Sequence, residues 1–160
     1  SGLAVVELAS PFLAVDSQLS LQQRTPLDVT KVVLDTNVFV AAGFRRQSAS
    51  AKIVELVRDE QLHLVWETST FNETRYVVEK IPRLQWDHFS ELFRDANRYL
   101  GDINPAEFDY IPDPDDRKFA ALAAATGAVL ITSDQHLHDH AEKAMPTVMS
   151  PAAFWNQPRS

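Results

Sequence analysis

Two short apolar runs in this chain end at acidic residues, and this pattern constrains the fold more than any other feature. The run at 32–34 precedes Asp35, and the run at 128–131 is followed closely by Asp134. Such runs are typical of buried strands in parallel sheets. A carboxylate at the end of a buried strand is costly unless a cation offsets its charge. The pattern therefore predicts an acidic site at the carboxyl edge of a sheet, where open α/β folds build their sites.

Strands and helices alternate along residues 31–155. The apolar runs predict strands at 31–35, 62–66, 108–111, 128–131 and 147–149. Helical spacing and capping residues predict helices at 36–42, from 48 or 50 to 57, at 68–81, 84–100 and 116–126, and a terminal helical turn at 151–155. This alternation indicates an α/β fold with a mostly parallel sheet covered by helices on both faces.

With 160 residues, of which 45% are hydrophobic, the chain is long enough for one compact domain with a sizeable core. We assign this domain to residues 31–160 and interpret residues 1–30 as an N-terminal arm, because proline interrupts their apolar segments. The arm could pack on the domain, reach a neighbouring chain or be a loosely ordered terminus. The absence of cysteine excludes disulfides and thiolate metal sites and favours a cytoplasmic protein. No apolar stretch approaches the roughly 20 residues of a membrane helix.

The net charge of −7 argues against broad coating of nucleic acid, which needs a basic face. It does not exclude a phosphate substrate, because part of the charge would lie in the acidic site and be offset by bound cations. Five cationic residues near the acidic positions either contact phosphates or form solvated helix surfaces: Arg45, Arg46, Lys52, Arg75 and Lys80.

Two more acidic residues extend the predicted site. Glu73 and Asp116 lie in the first or second turn of helices that begin at the same edge of the sheet. Four carboxylates from distant segments can therefore meet in one cleft, where their repulsion raises the pKa of some of them until a cation binds. Oxygen ligands without cysteine favour Mg²⁺ or Mn²⁺. Such an ion activates water for attack on a phosphodiester, so we predict a metal-dependent hydrolase.

Five segments resemble, in their order along the chain, the motifs of PIN-domain (PilT N-terminus) nucleases. Val-Val-Leu-Asp-Thr-Asn-Val-Phe at 32–39 is similar to the opening motif, in which an Asp after the first strand precedes a small polar residue and then Asn or Ser. The others are the acidic helix at 70–73, the third acidic motif at 113–123, the closing Thr-x-Asp motif at 131–134 and the short tail at 149–154.

This resemblance implies a three-layer α/β/α sandwich and a Mg²⁺- or Mn²⁺-dependent endoribonuclease that cleaves single-stranded RNA, leaving a 5′-phosphate and a 3′-hydroxyl. Many relatives are toxins of toxin–antitoxin pairs and form dimers, so a homodimer and an antitoxin protein are implied as partners. The implied site comprises the catalytic, metal-binding acids Asp35, Glu73, Asp116 and Asp134, and the supporting residues Asn37 and Thr132. Among the acids, Glu73 is implied either to help bind a metal or to orient the attacking water.

Each of the four acids also has an ordinary structural interpretation. Asp35 could cap the helix that follows it, because Asp is a favoured N-cap residue. Glu73 could lie on a solvated helix surface, and Asp116 could be a first-turn acid favoured by the helix dipole. Asp134 could be a turn residue.

We interpret the remaining candidate ligands as structural. Asp113 and Asp115 fit a turn and a helix cap. Three histidines at a spacing of two fit a solvated helix start better than a metal site: His136, His138 and His140. Three tryptophans in apolar-periodic contexts fit packing in the core or a dimer better than base stacking: Trp66, Trp86 and Trp155.

Two competing functions are weighed against the nuclease. Phosphatases of the haloacid-dehalogenase type also begin with a strand-terminal Asp, but they need a second acid two residues later, where this chain has Asn37. A non-catalytic RNA- or protein-binding module of the same fold is the other alternative. The complete set of four acids argues against it.

Overall fold

The computed structural model describes residues 29–139 and 146–158, so the N-terminal arm predicted for residues 1–30 lies almost entirely outside the described residues. The strands are β1 (Lys31–Leu34), β2 (His63–Leu64), β3 (Val129–Ile131) and β4 (Val148–Met149). The α-helices are α1 (Thr36–Phe44), α2 (Ala49–Arg58), α3 (Thr68–Glu79), α4 (Asp87–Ser90), α5 (Pro114–Thr126), α6 (Gln135–Asp139) and α7 (Pro151–Asn156). None of the helices in this part of the chain has the length and apolar character needed to cross a membrane.

The four strands form one sheet in the order β2–β1–β3–β4, and every neighbouring pair is parallel. In the centre, Val32 lies opposite Leu64 of β2 and Val129 of β3. The backbone amide of Asp35 extends this pairing by donating to the carbonyl of Ile131 at 3.1 Å. The carboxyl ends of β1 and β3 therefore lie side by side at one edge of the sheet, as the sequence predicted.

Successive residues of β1 face opposite sides of the sheet. Val32 and Leu34 belong to one apolar core, which also contains Phe39 of α1 and Ile53 of α2. Val33 belongs to a second core, in which helix α5 supplies a run of buried residues at 119–123. Helices thus cover both faces of the sheet, and the predicted three-layer α/β/α architecture is confirmed.

The long helix predicted for residues 84–100 is wrong. In its place stand the four-residue α4 and a 3-10 helix at Asp95–Asn97. The ring of Phe93 lies 5.1–5.8 Å, between centroids, from that of Trp86 in the same segment and from three rings of other segments: Phe39, Trp66 and Phe71. The backbone amide of Tyr99 donates to the carbonyl of Trp66 at 2.7 Å. These long-range contacts outweigh the helical spacing of the apolar residues.

The strand predicted for residues 108–111 is also wrong. A 3-10 helix spans Pro105–Phe108, and turns follow it. Phe108 and Ile111 are buried in the second core, so their apolar character was interpreted correctly but their backbone was not. The guanidinium of Arg117 donates to the Ile111 carbonyl at 2.9 Å and thereby binds a backbone group that a strand would offer to its neighbour.

Candidate acidic site

Asp35 lies at the point where β1 passes into α1, and its side chain is almost fully buried, with 4% of the residue exposed. One carboxylate oxygen, Oδ1, accepts a 2.8 Å hydrogen bond from the backbone amide of Asn37, so Asp35 does cap α1. The other oxygen, Oδ2, accepts a hydrogen bond from the hydroxyl of Thr132. Capping therefore explains only one of the two hydrogen bonds that this buried carboxylate accepts.

The pKa of Asp35 is raised above its ordinary value of 3.8, chiefly because burial removes the carboxylate from water. The nearby charges of Asp134 and Glu73 raise it further. The hydrogen bonds that Asp35 accepts act in the opposite direction but do not cancel these effects. A cation nearby would therefore stabilise the anionic form of Asp35.

Thr132 follows β3 directly and is fully buried. Its hydroxyl donates to Asp35 and accepts a 3.0 Å hydrogen bond from the backbone amide of Asp134. A ring nitrogen of His138 lies 2.7 Å from the Thr132 carbonyl oxygen. One threonine thus ties the end of β1 to the turn that carries Asp134.

Asp116 occupies the first turn of α5, a helix capped by the side chain of Asp113. Burial raises the pKa of Asp116 to about 8, and a side-chain hydrogen bond with Asp134 and the charge of Asp35 add to the shift. Two carboxyl groups can share a hydrogen bond only when one of them carries a proton. Three aspartates from three separate segments therefore influence one another, and the protonated form of Asp116 is favoured.

Glu73 reaches this region from α3. The hydroxyl of its neighbour Thr74 forms a buried 3.0 Å hydrogen bond with the hydroxyl of Thr36, which joins α3 to the start of α1. The charge of Glu73 acts on Asp35. The closest cation is Lys118, whose Nζ lies 3.5 Å from Glu73 Oε1.

The donor chemistry of this site fits a hard divalent cation, since the side chains that converge are carboxylates. Within residues 29–139 and 146–158, no three acidic, histidine or cysteine side chains stand close enough to form a ready-made metal-binding group. Protonation of Asp116 reduces the repulsion among the aspartates. Replacing this proton by a cation would relieve the same repulsion.

Sequence reasoning assigned no role to Lys118 or Thr74. Lys118 lies inside the third acidic motif, and its spacing of two from Asp116 was the available signal. Thr74 gave no signal, because a threonine in mid-helix is ordinary until its partner across the fold is known. From the sequence, the hydroxyl of Thr36 could either handle a phosphate or cap a helix; in the structure it bonds to Thr74. Asn37 contacts Asp35 through its backbone amide, while the residue itself is exposed.

Most of the residues given structural interpretations make structural contacts in the described part of the chain. Trp66 and Trp86 pack in the aromatic cluster around Phe93, and Trp155 packs against the first core. Asp113 caps α5, as predicted. His138 is half-buried against Thr132 rather than solvated; His140 and the side chain of His136 lie outside the described residues.

The cationic residues proposed as phosphate contacts are spread over the surface. Arg75 forms an ion pair with Glu79 at 3.1 Å, and Lys80 donates to the hydroxyl of Tyr76 at 3.1 Å. Arg46 instead lines a cavity of about 540 Å³ between α1, α2 and the chain around α4. None of the four acids lines that cavity. The acidic site is thus a separate feature at the edge of the sheet.

Comparisons with known proteins agree with this geometry. The family model described as PIN domain matches residues 31–136. The uncharacterized protein MJ1680 of Methanocaldococcus jannaschii is 30% identical to this chain over 118 residues, which are 67% of this chain and 72% of that protein. The crystal structure of PAE2754 from Pyrobaculum aerophilum superposes with a TM-score of 0.51 and 18% identity, covering 86% of this chain and 92% of that one. At that identity, the likeness shows the fold.

Proposed function

This chain belongs to the PIN domain family, whose members are generally nucleases, and from this premise we propose that it is a metal-dependent endoribonuclease acting on single-stranded RNA. The supporting observation is that three aspartates from separate segments influence one another at one edge of the sheet. Asp116 shares a hydrogen bond with Asp134 in the field of the buried Asp35. An arrangement that raises the pKa of its own members costs stability, which is expected at a site built for a ligand.

Asp35, Asp116 and Asp134 would hold the cation, and Mg²⁺ or Mn²⁺ suits their oxygen donors. When bound, such an ion supplies a nucleophilic water at neutral pH and stabilises the charge that builds up on the phosphate. The protein's own residues do the rest. Thr132 and the amide of Asn37 orient the two oxygens of Asp35. Glu73 would either help to bind the metal or orient the attacking water.

Cleavage of single-stranded RNA by the purified protein tests this function. With Mg²⁺ or Mn²⁺ we expect products with a 5′-phosphate and a 3′-hydroxyl, and Asp35→Asn should lower the rate at least about 100-fold. The matched control is Glu79→Gln, which removes a carboxylate from the same helix as Glu73 but from a surface ion pair. Its rate should stay within about twofold of the original. Full activity of Asp35→Asn would contradict the proposal.

We extend the proposal to a toxin role with a cognate antitoxin, which the resemblance in the opening motifs supports. Expression of the chain in a bacterial host should then arrest growth, and expression of Asp35→Asn should not. The homodimer and the cytoplasmic location stay predictions. Growth that continues while active nuclease accumulates would contradict the toxin role and leave the nuclease assignment intact.

A further inference from the structure

The ammonium group of Lys118 forms an ion pair with Glu73, one of the four predicted acids. Its Nζ lies 3.5 Å from Glu73 Oε1 and donates a 3.1 Å hydrogen bond to the backbone carbonyl of Asp115. The side chains of Lys118 and Glu73 are only 18% and 26% exposed. Because both groups are largely withdrawn from water, the attraction between their charges is screened less than in a surface pair.

A second ion pair on the same helix provides the contrast. Arg75 and Glu79 pair at 3.1 Å, but their side chains are 52% and 48% exposed. Exposed ion pairs of this kind contribute little to the stability of the folded protein. Helix α3 thus carries one pair in solvent and one pair that joins it to α5 beside the aspartates.

Two contacts fix the position of Glu73: one holds its helix and the other holds its carboxylate. The bond between Thr74 and Thr36 fixes its helix against the start of α1, next to Asp35. Lys118 reaches it from α5, and the same helix carries Asp116 two residues earlier. Glu73 is therefore placed near the aspartates while its charge is already matched by a fixed cation.

We propose that Lys118 is a positioning residue that neutralises Glu73 and keeps it out of the coordination shell of the metal. The cleft then binds one divalent ion through three aspartates, and Glu73 orients the attacking water. A carboxylate paired with an ammonium attracts a metal ion less, and the ammonium repels a second divalent ion from that side of the cleft. This inference rests on the proposed function, and it chooses between the two roles expected for Glu73.

Calorimetric titration of the full chain with Mn²⁺ tests the inference without measuring activity. The original protein should bind one Mn²⁺, and Glu73→Gln should weaken binding by no more than about threefold, because it removes no ligand and only leaves the charge of Lys118 unmatched. Lys118→Met should bind Mn²⁺ about three- to tenfold more tightly, since Glu73 is then free to act as a ligand. In the double variant Glu73→Gln/Lys118→Met, this gain in affinity for Mn²⁺ should disappear, because the carboxylate of Glu73 is absent.

Two controls separate positioning from a general effect of charge. Lys118→Arg keeps the cation and should leave the Kd within about twofold of the original. Arg75→Met and Glu79→Gln make the same charge changes in the exposed pair and should leave Mn²⁺ binding equally unaffected. Lys118→Gln replaces Lys118→Met if thermal unfolding shows that the methionine variant does not fold.

The outcomes that overturn the inference differ from those that overturn the proposed function. A weakening of Mn²⁺ binding of about tenfold or more in Glu73→Gln makes Glu73 a direct ligand and sinks the inference alone. A gain in Mn²⁺ affinity in Lys118→Met that persists in the double variant also overturns the inference alone, because the charge of Lys118 then acts on the metal ion directly and not through Glu73. A folded original protein that binds no Mn²⁺ overturns the proposed function and the inference together.

Discussion

The hydroxyl of Thr132 donates a hydrogen bond to Asp35 Oδ2, although the two residues are 97 positions apart in the chain. The same hydroxyl accepts from the backbone amide of Asp134 at 3.0 Å. Thr132 thus sets the orientation of a buried carboxylate and of the turn that carries a second one. The contact with Asp35 is possible because β1 and β3 are neighbours in a parallel sheet, while the contact with Asp134 is made within the turn that follows β3.

Replacing Thr132 with valine should weaken Mn²⁺ binding by about 10- to 100-fold, the usual cost of losing a group that orients a metal ligand. Valine has the same shape but cannot donate to Asp35 or accept from Asp134. Thr132→Ser keeps the hydroxyl and is the matched control. Calorimetric titration of both variants measures the effect, and equal Kd values for valine and serine would refute it.

Thr74→Val should lower the free energy of unfolding by about 1–2 kcal/mol, because it leaves the buried hydroxyl of Thr36 without this partner. The double variant Thr36→Val/Thr74→Val should cost less than the sum of the single changes, since no hydroxyl is then stranded. Urea unfolding measures all three. Thr147→Val, at an exposed threonine just before β4, should change stability by less than about 0.5 kcal/mol.

Without divalent ions, the protein should lose stability as the pH rises from about 4 towards 8. The pKa of Asp116 is raised from its ordinary 3.8 to about 8 in the folded protein. Between these values the folded state binds more protons than the unfolded state, so stability falls with increasing pH. Urea unfolding at several pH values in EDTA measures the slope. Asp116→Asn should flatten it, and an unchanged slope in that variant would argue against this origin.

Binding of Mn²⁺ should release a proton below pH 8, because Asp116, whose pKa is raised to about 8, must lose its proton when a cation takes its place. The apparent affinity should therefore increase with pH and level off above about 8. Titrations in buffers with different ionisation enthalpies count the protons released. Asp134→Asn removes one partner of the hydrogen bond and should shift the plateau to lower pH.

The elements that border the site were predictable because their signals are local. The apolar runs before Asp35 and Asp134 predicted β1 and β3, and both form next to each other. Asp113 caps α5, and the helix ends at Gly127, whose φ of 75° suits a residue without a side chain. Each of these features depends on a few neighbouring residues.

The errors fall where distant contacts decide the backbone. Residues 84–100 have helical spacing, yet Phe93 packs among aromatic rings from three other segments and Tyr99 bonds to Trp66. Residues 108–111 alternate like a strand, yet Arg117 binds the Ile111 carbonyl. Periodicity reports which residues are apolar, while the path of a short segment is set by packing partners far along the chain.

The amino-acid sequence by itself determined the α/β class and the strand ends that carry Asp35 and Asp134, because these follow from local hydrophobicity and capping. The tertiary structure alone decided which partner each of the acids has. It joined Asp116 to Asp134 through a shared hydrogen bond and set Lys118 against Glu73. The reason is physical: the protonation and pairing of a carboxylate depend on charges and burial within a few ångströms, and those neighbours come from distant parts of the chain.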